Sequence, residues 1–122
     1  MMKVAIFEDN LMWGPRLVQS VRALGHEPIA ISQWTDDIPE TEVALINLGS
    51  TEFPPARLME ILRARSTKVI AHAGHKEKQL HEVGRDLGCD YLATNSEMTF
   101  KLPEIFRKVT ELGDNPRVSA TG

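Results

Sequence analysis

Short apolar runs alternate along this chain with longer segments whose apolar residues recur at helical spacing. Val4, Ala5, Ile6 and Phe7 form the first run, Pro28 to Ile31 a weaker second, and Val43 to Ile46 the third. Val69 to Ala71 and Tyr91 to Ala93 follow. Runs this short and this continuously apolar predict strands covered on both faces, as in a parallel sheet. Between them, Leu17, Val18, Val21 and Leu24 share one helical face, and Gly25 supplies the stop. Pro15 has no N–H, so it belongs in the first turn and leaves Asn10 to Gly14 as an irregular approach. Segments 55 to 65, 76 to 87 and 102 to 112 carry the same periodicity. Gly88 ends the middle one, and Pro103 delays or kinks the last.

Only Ser32 to Glu42 separates the second run from the third, too little for a full helix with two loops. The expected order is therefore β-α-β-(short)-β-α-β-α-β-α, an α/β fold with parallel strands and right-handed crossovers that cover both faces. The chain has 122 residues, 42% hydrophobic and 25% charged, which suits one globular domain. We expect that domain over 1–113, with 114–122 as a flexible polar tail. A net charge of -3 gives no whole-domain attraction to nucleic acid or anionic lipid. The single Cys89 allows no internal disulfide, no apolar stretch approaches the ~20 residues that span a bilayer, and Met1, Met2 and Lys3 lack a signal-peptide layout. A cytoplasmic protein is the expectation.

In open parallel sheets, ligands collect beyond the C-terminal ends of the strands. Those ends carry Glu8 and Asp9, then Asn47, then Ala73 with Gly74, then Thr94 with Asn95. Adjacent acids are oxygen ligands for a hard divalent cation; Glu8 and Asp9 equally serve as a helix cap or as solvated charges. His72 and His75 stand three apart, one directed by a strand and the other by a loop, and are expected to be structural or solvated rather than paired metal ligands. Cys89 is expected to pack against the preceding helix. No GxGxxG follows the first strand and no glycine-rich loop ends in a Walker-type lysine, so dinucleotide and P-loop chemistry lack support.

Lys3 to Asn10, with its acidic pair, and Leu87 to Ala93, with its Gly-Cys-Asp-Tyr-Leu core, resemble the receiver domain of two-component response regulators, CheY-like proteins. The resemblance spans nearly all of residues 3 to 112. It implies a doubly wound, flavodoxin-like five-stranded parallel sheet in order 2-1-3-4-5, here with a shortened second helix. It also implies an aspartate at the end of the third strand that accepts a phosphoryl group, with Mg²⁺ on the acidic pair.

Against that pattern, Asn47 stands where the phosphoacceptor belongs, Ala73 at the hydroxyl position and Thr94 at the lysine position. A carboxylate nucleophile, a hydroxyl and a cation are thus all replaced, while Glu8 and Asp9 are kept and Tyr91 matches the switch aromatic. The resemblance therefore implies a degenerate pseudo-receiver: a non-enzymatic signalling module that acts by protein–protein interaction, with Glu8 and Asp9 as at most a weak Mg²⁺ site. Two alternatives stand beside it, an unconventional Mg²⁺-dependent phosphoacceptor at Asp9 or Glu8 and a small-ligand-binding flavodoxin-like domain.

Interaction candidates are Trp13 and Trp34, since tryptophan removes much apolar area with few rotatable bonds. The family's usual partner and dimer face adds Lys101, Arg107 and Lys108, beside Lys76, Lys78 and Arg85 and the acids Glu82, Asp86 and Glu111. Membrane and nucleic-acid partners are not expected. Arg63, Arg65 and Lys68 form a short basic cluster without the stacking residues that single-stranded nucleic acid needs.

Overall fold

A computed structural model describes residues 1–112; the expected tail at 114–122 lies outside the described residues. The elements are β1 (Lys3–Phe7), α1 (Trp13–Ala23), β2 (Glu27–Ile31), β3 (Val43–Asn47), α2 (Pro55–Ala64) and β4 (Lys68–Ala73). They continue with α3 (Lys78–Leu87), β5 (Tyr91–Thr94), α4 (Asn95–Phe100) and α5 (Leu102–Leu112). The five strands form one parallel sheet in order β2-β1-β3-β4-β5. No helix separates β2 from β3: the shortened second helix expected there is absent, and 32–42 crosses in bends because so few residues leave no room for a helix with two loops.

Strand alternation divides the core into two halves. Ala5, Phe7, Ala44, Ile46, Val69 and Ala71 face α2 and α3, whose Leu58, Met59, Leu62 and Leu80 meet them. Val4, Ile6, Val43, Leu45, Ile70 and Ala93 face the other way, onto Leu17 and Val21 of α1, Met98 of α4, and Leu102 and Ile105 of α5. Gly88 ends α3 with φ of 74°, the left-handed conformation that a side chain makes costly.

Two further details depart from the sequence reading. Helix α1 begins at Trp13, earlier than expected, because the Asn10 side chain accepts the Met12 and Trp13 N–H groups at 2.8 and 2.9 Å and satisfies the first turn. Pro15 still falls in that turn. Helix α4 was not anticipated. Thr94 accepts the Glu97 N–H, and the Glu97 carboxylate accepts the Thr94 N–H, a reciprocal cap that starts a helix directly from β5.

Phe53, in the β3–α2 connection, is fully buried and meets Phe7 edge-on at 5.6 Å between ring centres. Phe53→Ala should lower unfolding stability by about 3–5 kcal/mol in urea titrations, because the rigid sheet cannot collapse into the space left.

Candidate functional site

β3 and β4 are in register at Asn47 and His72, and Phe7 lies level with Ile46, which places Glu8 beside Asn47. Glu8, Asn47 and His72 therefore form a row across three neighbouring strands at the C-terminal edge, on the α1–α4 side. Glu8 is only 4% exposed and His72 1%. Burying a carboxylate requires donors. The Asn47 amide Nδ2 donates to both Glu8 oxygens, at 3.1 and 2.9 Å, and the Asn10 N–H donates to Oε2 at 3.2 Å. Asn47 Oδ1 in turn accepts the Gly49 N–H at 2.8 Å. This fixes the amide: turned over, it would set its oxygen against the carboxylate and leave Gly49 facing a donor.

His72 Nδ1 lies 2.8 Å from Asn95 Oδ1, which selects the tautomer with the proton on Nδ1. Nε2 then carries a lone pair, has no hydrogen-bond partner, and lies 3.8 Å from Glu8 Oε1. Burial is the largest influence on this imidazole and pushes its pKa below the ordinary 6.5; the Asn95 hydrogen bond and the Glu8 charge act upward more weakly. Trp13 closes the cluster from α1, its ring centre 6.5 Å from that of His72.

The structure brings together only part of the residue set read from the sequence. Glu8 and Asn47 meet directly. Asp9, next in the chain, is exposed. Ala73 packs into the core on the α2–α3 side, opposite to the cluster. The Thr94 hydroxyl is occupied in capping α4. Their expected places in the pocket are taken by His72 and Asn95. Strand alternation put Ala73 on the wrong face, and the cap that holds Thr94 presents the next residue to the site. The Thr-Asn-Ser-Glu spacing at 94–97 was the available signal for Asn95; for His72 the only signal was register, which the sequence does not display.

Tyr91 precedes Ala93, which is level with His72, by two residues and so by about 7 Å of strand. It packs against the α1–α5 half of the core with the Lys108 ammonium 5.9 Å from its ring centre. Lys101 and Arg107 are exposed. Trp34 packs against the α2–α3 half of the core; the Arg57 guanidinium lies 4.6 Å over its ring and its indole N–H donates to Asp36. Arg63 donates to the Gly88 carbonyl and Arg65 to the Ile38 carbonyl, so two members of the basic cluster hold loops. His75 is exposed, and His81 Nε2 lies 3.0 Å from the Gly74 carbonyl. Cys89 is half-buried, and burial followed by the Asp90 charge pushes its thiol pKa up.

Mg²⁺, which the resemblance to receiver domains implies, takes oxygen ligands in near-octahedral array. Here the Glu8 oxygens face an NH₂ group, and Asn47 Oδ1 is already held by Gly49. Among the described residues no group of three or more His, Cys, Asp or Glu is placed to hold a metal ion. The donor set does not fit Mg²⁺.

Comparison with solved structures identifies the fold class. The chain superposes on a Francisella response-regulator receiver domain with TM-score 0.71 at 18% identity, covering 92% of this chain and 96% of that one. A CheY-like receiver domain protein from Methanospirillum hungatei gives TM-score 0.76 at 15% identity over 95% and 99% of the two chains. A LuxR-family DNA-binding response regulator from Staphylococcus aureus gives 0.73 at 19% identity over 89% and 98%. The protein therefore has the receiver fold. No protein-family model and no curated protein matches the sequence.

Stability should fall with acid through His72. At high pH the imidazole is neutral both folded and unfolded; as pH drops below about 6.5 the unfolded chain takes up the proton first, so unfolding gains. His72→Gln should remove that part of the pH dependence, measured as the difference between wild-type and variant urea midpoints at pH 7.5 and 5.

Proposed function

We propose that the protein is a pseudo-receiver, a non-enzymatic signalling module that uses the receiver fold to bind another protein without aspartyl phosphorylation. The observation that carries this reading is the Asn47 amide donating to both oxygens of buried Glu8. An aspartyl phosphoacceptor attacks through a carboxylate oxygen, and its charge is met by a cation. At the end of β3 this chain has an amide nitrogen, whose lone pair is delocalised and whose protons are already donated. Glu8 is turned toward that amide, so neither residue is presented as a nucleophile. Asp9 is the exposed acid of the pair, with neither a lysine nor a hydroxyl drawn into the cluster beside it.

The surface supports the partner-binding half of the reading. Leu11 and Met12 are 88% and 73% exposed, immediately before half-buried Trp13. Met12 and Trp13 are of residue types enriched in interface cores, and exposed Leu11 extends their apolar area into water. Trp13 also touches the His72 ring, so the surface and the buried cluster are mechanically joined. The face made by α3, β5 and α5, with Lys101, Arg107 and Lys108, is the second surface, for a partner or a second copy of the chain; Trp34 is anchored inward and is the weaker anchor. Among the described residues no helix is long and apolar enough to cross a membrane. Residence in the cytoplasm goes with the proposed role.

Incubation with Mg²⁺ and a small phosphodonor such as acetyl phosphate tests the first half. Intact mass should be unchanged, where a receiver with a working acceptor gains one phosphoryl group. A phosphoryl group found on Asp9 or Glu8 would replace this reading with that of an unconventional phosphoacceptor.

A further inference from the structure

A cavity of about 280 Å³ opens between the Glu8–Pro15 segment, the outward face of α1 and the end of β2. Its walls combine Leu11, Pro15, Val18 and Ala30 with two opposite charges, Asp9 and Arg22. Neither charged side chain has a hydrogen bond or ion pair among the described residues, and they do not pair with each other. Asp9 follows β1, whereas Arg22 lies in the last turn of α1, seven residues beyond Pro15 and so about 10 Å along the axis. Side chains on a helix lean toward its N-terminus, and Val18 and Gln19, one turn before Arg22, line the same cavity. The result is an apolar trough with a free carboxylate toward one end and a free guanidinium toward the other.

We propose that this trough is a binding site for a small zwitterion with an aliphatic body, its ammonium group at Asp9 and its carboxylate at Arg22. The aliphatic part would lie on Val18 and Pro15 and cover Leu11, whose side chain otherwise stands 88% exposed. Apolar walls with a few placed polar groups are the usual make-up of small-molecule sites, and this volume suits a compact ligand. The proposal rests on the signalling reading above and supplies its input. Buried Glu8 also lines the cavity, and Asn10 links its wall to the surface: the Asn10 N–H donates to Glu8, while its side chain accepts from Met12 and Trp13. A ligand resting on Asn10 and Leu11 therefore bears on the segment that carries Trp13.

The test is an amide NMR titration of the whole chain with linear ω-amino acids from aminobutanoate to aminooctanoate, beside hexanoate and hexylamine. A member of the amino-acid series should give saturable shifts at Asp9, Leu11, Val18, Arg22 and Ser32, and should bind roughly three- to fivefold more tightly than either singly charged analogue. Asp9→Asn and Arg22→Gln, both at exposed positions, should each abolish that advantage. Absence of saturable shifts across the series, equal affinity for the singly charged analogues, or shifts confined to another surface would overturn the proposal. Intact mass after phosphodonor treatment of the same sample reports separately on the signalling reading, so failure of the binding site is told apart from failure of that reading.

Discussion

Placing a carboxylate at the end of a central strand, beneath a helix, costs several kcal/mol unless donors meet it there. At Glu8 those donors are the Asn47 amide and the Asn10 N–H, and both arise from local geometry: strand register sets Asn47 alongside, and the turn after β1 folds Asn10 back. Because the Asn47 oxygen is held by Gly49, the amide has one orientation, with its NH₂ protons set against both Glu8 oxygens. The character of the site follows from this single contact.

The same contact connects the buried cluster to two surfaces. Asn10 satisfies the first N–H groups of α1 and so places Trp13, which leans on His72. His72 bonds Asn95, the first residue of α4, a helix that exists because Thr94 and Glu97 cap one another. Glu8, Asn10, Trp13, Asn47, His72 and Asn95 thus tie α1 and α4 to the ends of β1, β3 and β4. In an interior packed without slack, a change at one of them is transmitted to the others. Such an arrangement suits a module whose output is the shape of its surface.

Much of the fold was legible in the sequence because buried parallel strands leave continuous apolar runs and amphipathic helices leave spaced ones. Val4 to Phe7 and Val43 to Ile46 stand out as strands, and the brevity of 32–42 excludes a full helix there, although the shortened one expected is absent too. The site was legible only where strand ends announce themselves, at Glu8 and Asn47. Ala73 and Thr94 were assigned by counting along the chain, whereas their side-chain directions depend on which face each strand end presents. His72 looked like one more strand histidine, since its partners come from residues 8 and 95 and no local pattern records so distant a pairing. The short helix at 95–100 lay beyond periodicity, although its capping spacing was present.

If the Asn47 amide occupies the place of both acceptor and cation, Mg²⁺ should be irrelevant to the wild-type protein and should matter once a carboxylate is restored. Thermal unfolding of wild type and Asn47→Asp, each followed across a Mg²⁺ titration at neutral pH, tests this directly. The account predicts a wild-type midpoint indifferent to Mg²⁺ and a variant destabilised by its two facing carboxylates, then recovered as Mg²⁺ binds between them. A saturable rise in the wild-type midpoint would contradict it.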